Sequence, residues 1–220
     1  MSNLASTYRN QGRYKEAEEL EAQVTGMRKR ALGQEHPSTL TSMNNLASTY
    51  TNQGRWKEAE ELFVQVMETF KRALGQEHPD ALTSMASLAS ALWYQGRWKE
   101  AEVLEVHVME ARMKLLGTDH PDTLTSMASL ATTYMSQGRR SEATELQIEA
   151  VNQLRTALGE DHPSTVVAIA NLASFREERT APAPLCGNDN NESGAFQATS
   201  AEPDEGNETD EELLQRALAI

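Results

Sequence analysis

The sequence is poor in cysteine, in aromatic residues and in positive charge. A single cysteine, Cys186, in 220 residues excludes an internal disulfide and a cysteine-rich metal site. Aromatic residues make up only 5%, so a deep aromatic core is not expected. Basic residues number 20 against 33 acidic ones, a formal net charge of −13. That balance opposes neutralising the phosphates of nucleic acid and adhering to an anionic membrane. No run reaches the ~18 apolar residues that a membrane span needs. The first ten residues, MSNLASTYRN, lack the apolar segment of a secretory signal. No phosphate-cradling glycine loop, nucleophile elbow or HExxH pattern occurs. The expectation is a soluble, acidic, cytoplasmic, non-catalytic protein with no cofactor, no nucleic-acid partner and no membrane partner.

What is present is a repeat. Gly12, Gly54, Gly96 and Gly138 stand 42 residues apart, and His36, His78, His120 and His162 keep the same step, each followed by proline. The strings GRYKEAEEL, GRWKEAEEL, GRWKEAEVL and GRRSEATEL align, as do ALGQEHPST, ALGQEHPDA, LLGTDHPDT and ALGEDHPST. Such periodicity is read before anything else, because it sets the whole architecture.

Each period reads as two helices. After each His-Pro step, Ser38, Asp80, Asp122 and Ser164 suit the cap or first turn, and proline suits the first position. Leu40, Met43, Leu46, Ala47 and Tyr50 then follow at helical spacing, and Gly54 suits the stop. A second helix is expected over 55–74, on Trp56, Ala59, Leu62, Phe63, Val66, Phe70 and Leu74. One such pair buries too little surface to fold alone, so the pairs must stack.

These residues carry a family resemblance. Leu46-Ala47, Tyr50, Gly54, Ala59 and Phe63 resemble the tetratricopeptide repeat signature. The 42-residue period, the long second helix and the "LG-x-[ED]-HP-[DS]" step resemble the kinesin light chain type of that repeat. The same type also forms C-terminal arrays in fungal and bacterial NACHT and NB-ARC receptor proteins. The resemblance implies an all-α fold, a right-handed α-α superhelix, that binds proteins or peptides in its concave groove.

The array is expected over 1–179, with a truncated first pair, three complete pairs and an unpaired last helix. Met1 keeps the register of Met43, Met85 and Met127, so the array is expected to continue upstream in a longer parent. Residues 180–209 read as a disordered acidic linker and 210–220 as a short amphipathic helix. Residues 1–179 carry 19 basic and 24 acidic groups and residues 180–220 carry one and nine, so the tail supplies most of the negative charge.

By resemblance the groove is lined by Asn3, Ser6, Arg9 and Asn10, then Asn44, Asn45, Ser48 and Asn52, then Ser87, Ser90, Trp93 and Tyr94, then Thr132 and Met135. This lining is small and hydroxyl-rich. Where carboxylate-clamp relatives carry Lys and Arg, the positions here hold Thr, Ser and Asn, which disfavours a chaperone-tail ligand. Trp93 is extra to the packing pattern, since Leu92 already holds the Tyr50 place, and it reads as either a peptide anchor or an inter-repeat contact. Trp56 and Trp98 read as packing residues. The four histidines lie one repeat apart, too far to share a metal, and read as loop or helix-end groups. His107 reads as an outward residue without a partner, and Glu58, Glu60 and Glu61 as a solvated charged face. The broken EF-hand pattern at Asp189, Asn191, Ser193 and Gly194 and the sequons at Asn191 and Asn207 carry no functional expectation. Alternative functions are a motor cargo adaptor, which needs a preceding coiled coil, and end-to-end self-association.

Overall fold

The computed structural model describes residues 2–177, and the expected linker and C-terminal helix lie outside them. Among the described residues the chain forms helices α1 (Ser2–Asn10), α2 (Tyr14–Leu32), α3 (Pro37–Asn52), α4 (Trp56–Leu74), α5 (Pro79–Tyr94), α6 (Trp98–Leu116), α7 (Pro121–Ser136), α8 (Arg140–Leu158) and α9 (Pro163–Glu177). Each helix packs on the next, and α3 also touches α5 as α7 touches α9. The result is an all-α solenoid with odd-numbered helices on one layer and even-numbered ones on the other.

The His-Pro step starts each odd helix from α3 onward, with proline at the first position and Ser38, Asp80 and Asp122 in the first turn, as their spacing allowed. The cap is the histidine itself. His36, His78 and His120 sit in extended backbone, and their Nδ1 atoms accept from the amides of Ser38, Asp80 and Asp122 at 3.1, 3.2 and 3.1 Å. His162 accepts from the Ser164 amide at 3.2 Å. Ser38 and its counterparts are therefore amide donors in the first turn, where the free N–H groups of a helix need acceptors.

Glycine makes the turn between the helices of a pair. Gly54 has φ of +76°, and beyond it the Arg55 amide donates to the Tyr50 carbonyl at 2.9 Å. A side chain at that φ would strain the backbone, which favours glycine.

Arg55 then fastens one repeat to another. Its guanidinium carbon lies 4.1 Å from the centroid of the Tyr50 ring. It pairs with Glu58 of its own helix and, at 2.8 Å, with Glu18 of the preceding repeat. Arg97 repeats the clasp on Glu100 and Glu60, and Arg139 on Glu142 and Glu102. Gln53, Gln95 and Gln137 add a hydrogen bond to the same inter-repeat carboxylates. Glu60 is thus buried and bound across the junction, which corrects its expected place on a solvated face.

Between the layers the core is aliphatic. Leu82, Met85, Leu88 and Leu92 of α5 meet Phe63 and Met67 of α4 and Leu104 and Val108 of α6. Leu124 and Met127 of α7 pack with Val151 and Leu154 of α8 and Ala168 of α9. The repeat methionines Met43, Met85 and Met127 are all buried.

Trp56 and Trp98 are less buried than their pattern implied, at 37% and 38% exposure. They sit at the outset of α4 and α6, at the edge of the stack. His107 is half-buried and meets Gln76, ring nitrogen to amide nitrogen, at 3.1 Å, so it does have a partner. Burial pushes its pKa down.

Candidate functional site

Of the expected groove residues, Ser87, Ser90, Trp93, Tyr94 and Thr132 line clefts between α5 and α7. Along α3, α5 and α7 the hydroxyls turn back onto their own helix. Ser48 donates to the Asn44 carbonyl, Ser87 to Thr83, Ser90 to Ala86, Ser129 to Thr125 and Thr132 to Ala128, all between 3.0 and 3.1 Å. A serine or threonine placed this way uses its one proton within the helix and leaves oxygen lone pairs outward. The hydroxyl-rich lining is therefore a surface of acceptors.

Between α5 and α7 this face opens into two adjoining clefts. One, of about 310 Å³, is lined by Thr83, Ser87 and Ser90 on one side and by Thr125, Ser126 and Ser129 on the other. The second, of about 230 Å³, is lined by Ser90, Trp93 and Tyr94 opposite Ser129, Thr132 and Thr133. Glu105 of α6 lines both.

Trp93 is half-buried and does both things its sequence position allowed. It packs against the α3–α6 core cluster, its Nε1 donates to Ser136 Oγ at 3.0 Å, and it lines the smaller cleft. Tyr94 meets Trp93 edge-on at 5.1 Å and stacks on Trp56 of the preceding repeat at 6.1 Å.

The other expected residues lie on α1, α3 and α7. Asn3 and Asn10 are exposed on α1, and Ser6 is partly buried. Arg9 donates to the Asn45 carbonyl at 3.3 Å and lies 3.8 Å from Glu21. Asn44, Asn45 and Ser48 are partly buried, and Asn52 is exposed at the end of α3. Met135 is taken up in packing with Ala131, Ala143 and Phe175.

Glu105 is absent from the sequence expectation. Its only sequence signal is a charge inside the apolar stripe Ala101, Leu104, Val108. The residue is 7% exposed, and its Oε2 has no hydrogen-bond partner. Burial pushes its pKa up to about 7, with the nearby Thr133 hydroxyl opposing the rise and the Glu102 charge adding to it. Glu21, at the same place two periods earlier, is also raised by burial, but it accepts from Thr49 Oγ1 at 2.5 Å and has Arg9 nearby. Arg112, two turns along α6, donates to Ser126 Oγ at 2.8 Å and to the Asp122 carbonyl at 3.2 Å. Among the described residues no cluster of three metal-ligating side chains occurs.

The fold and this face define a helical-repeat solenoid with a recessed inner surface. The tetratricopeptide repeat model matches residues 1–38, 39–80, 81–122 and 123–164, and the chain belongs to that family. Two crystal structures of nearly identical TPR-like repeats from a Podosopora anserina protein described as a kinesin light chain, one of them carrying a single substitution, are 35% identical to it. They align over 81% of this chain and 84% of theirs, with TM-scores of 0.69 and 0.68. BtubC (BKLC) from P. vanneervenii shares the fold at 17% identity and a TM-score of 0.60, over 90% of this chain and 85% of its own. No curated protein matches the chain. The repeats are thus of the kinesin light chain type, and such repeats form protein-interaction scaffolds. No helix among the described residues is long and apolar enough to cross a membrane.

Proposed function

We propose that the chain is a non-catalytic scaffold whose concave face, formed by α1, α3, α5, α7 and α9, holds an extended peptide or protein segment. The observation that carries this reading is the pair of clefts between α5 and α7, both lined by Glu105 and the smaller one also by Trp93. An aromatic side chain on a recessed polar surface is the usual form of a binding anchor. The reading includes cytoplasmic residence and a role as the ligand-sensing array of a larger receptor-like protein, or as a paralogue of one. Motor cargo adaptation and end-to-end self-association are the competing uses of the same repeats.

The test is affinity capture of partners from lysate by the full chain, beside Trp93→Ala and Trp98→Ala. Trp98 lies at the stack edge, outside the clefts. Loss of captured partners with Trp93→Ala alone, at unchanged circular dichroism, supports the groove. Equal loss with both variants, or with neither, overturns it. Size-exclusion chromatography across a concentration range separates self-association from monomeric binding.

A further inference from the structure

Repeat one and repeat three use the same two places differently. Arg9 and Glu21 in the first correspond to Trp93 and Glu105 in the third, each 84 residues on. In repeat one the carboxylate has a cation of its own, Arg9, and a hydroxyl donor, Thr49. In repeat three the cation's place is held by an indole. Each carboxylate keeps one buried oxygen without a hydrogen bond, Glu21 Oε1 and Glu105 Oε2, and at Glu105 no arginine stands in the place of Arg9. A buried carboxyl left this way costs stability unless something satisfies it. This carboxyl stands where two clefts meet, among the oxygens of Ser90, Ser129 and Thr132, whose protons are already bound to their own helices.

We propose that the clefts at Glu105 receive the arginine or lysine side chain of a peptide bound along the groove. Glu105 pairs with the cation, the neighbouring hydroxyl oxygens accept its remaining N–H groups, and the Trp93 indole lies against its alkyl stem or charged head. The chemistry fits from each side. Beside the already bonded Arg112, the hydroxyl oxygens of the lining offer acceptors, an arginine guest offers five donors and no acceptor, and an indole attracts a cation. The inference rests on the groove being a peptide site and names the side chain that it selects.

The charged and titratable groups around Glu105 are Glu102 and Arg112 on its own helix, Asp122 at the start of α7 and Tyr94 at the end of α5. Arg112 is bonded to Ser126 and to the Asp122 carbonyl, so it does not take the guest's role. With its pKa near 7, Glu105 is partly protonated at neutral pH. Pairing with a cation drives the proton off, so binding tightens as pH rises through about 7 and releases protons on the way.

The experiment pans a phage-displayed random dodecapeptide library against the full chain and against Glu105→Gln. Glutamine fits this place, since Gln147 occupies it in repeat four, fully buried and donating to the Ala168 carbonyl at 2.7 Å. The expected winners carry Arg or Lys at one fixed position. Replacing that residue by norleucine in the synthetic peptide weakens binding to wild type roughly tenfold or more. Against Glu105→Gln the two peptides bind alike, and calorimetry in buffers of different ionisation enthalpy shows proton release only with wild type. Winners without a basic position, or a basic preference undiminished in Glu105→Gln, overturn the inference and leave the peptide groove standing. Failure to select any peptide removes both.

Discussion

Arg97 Nη1 donates to Glu60 Oε1 at 2.6 Å, joining α6 of one repeat to α4 of the repeat before it. The same carboxylate accepts from Gln95 at 2.7 Å. Stability in a solenoid depends on such junctions, because each repeat touches only its neighbours. Glu60→Ala removes the acceptor from two part-buried donors and is expected to cost about 1–3 kcal/mol. Glu58→Ala, at an exposed pair within one helix, is expected to leave the transition unchanged. Urea unfolding of the two variants checks the contrast.

The histidine caps lead to a second expectation. His78→Ala should lower stability by roughly 1 kcal/mol, the usual worth of a lost N-cap. His78→Asn should recover most of it, because an asparagine oxygen accepts the same Asp80 amide. Thermal unfolding of both variants distinguishes a cap from a packing role, which asparagine would not rescue.

Gly54→Ala should cost about 1 kcal/mol through the backbone alone. Its φ is +76°, yet an added Cβ would meet nothing within 4 Å. An asparagine there, which tolerates such a φ better, should cost less. Denaturant midpoints read the order.

Glu105 makes stability depend on pH. Its carboxyl is raised from 4.5 to about 7 in the folded chain, so the folded state holds the proton more tightly than the unfolded state does. That contribution is full below about pH 4.5 and is lost as pH rises through 7. Glu105→Gln should therefore be more stable than wild type at pH 8, by up to about 3 kcal/mol, and so melt higher there, with little advantage at about pH 4.5. Melting temperature against pH for both chains is the measurement.

Much of the architecture is legible in the residues. The helix expected over 55–74 runs from Trp56 to Leu74, and Gly54 and Gly75 close their helices as glycines do. Four in-register copies make such reading strong, since each period repeats the same local instructions. The differences share one cause. Ser38 and His36 both read as groups at the helix start, and only the chain path shows that the histidine Nδ1 faces the free amide. Glu60 reads as solvated because its partners, Gln95 and Arg97, lie about one period away in the sequence. His107 reads as unpartnered because Gln76 comes from another repeat.

The sequence by itself determined the repeat, the two helices of each period, the turns and the chain's poverty in cations. Those follow from local spacing and backbone preference, which a linear pattern records directly. Only the tertiary structure decided which charges are buried, which hydroxyls turn inward and where the inner face opens. Glu21 and Glu105 occupy the same register, yet one has Arg9 beside it and the other lies under Trp93. A carboxyl's state depends on what surrounds it in space, and stacking the repeats is what puts those surroundings in place.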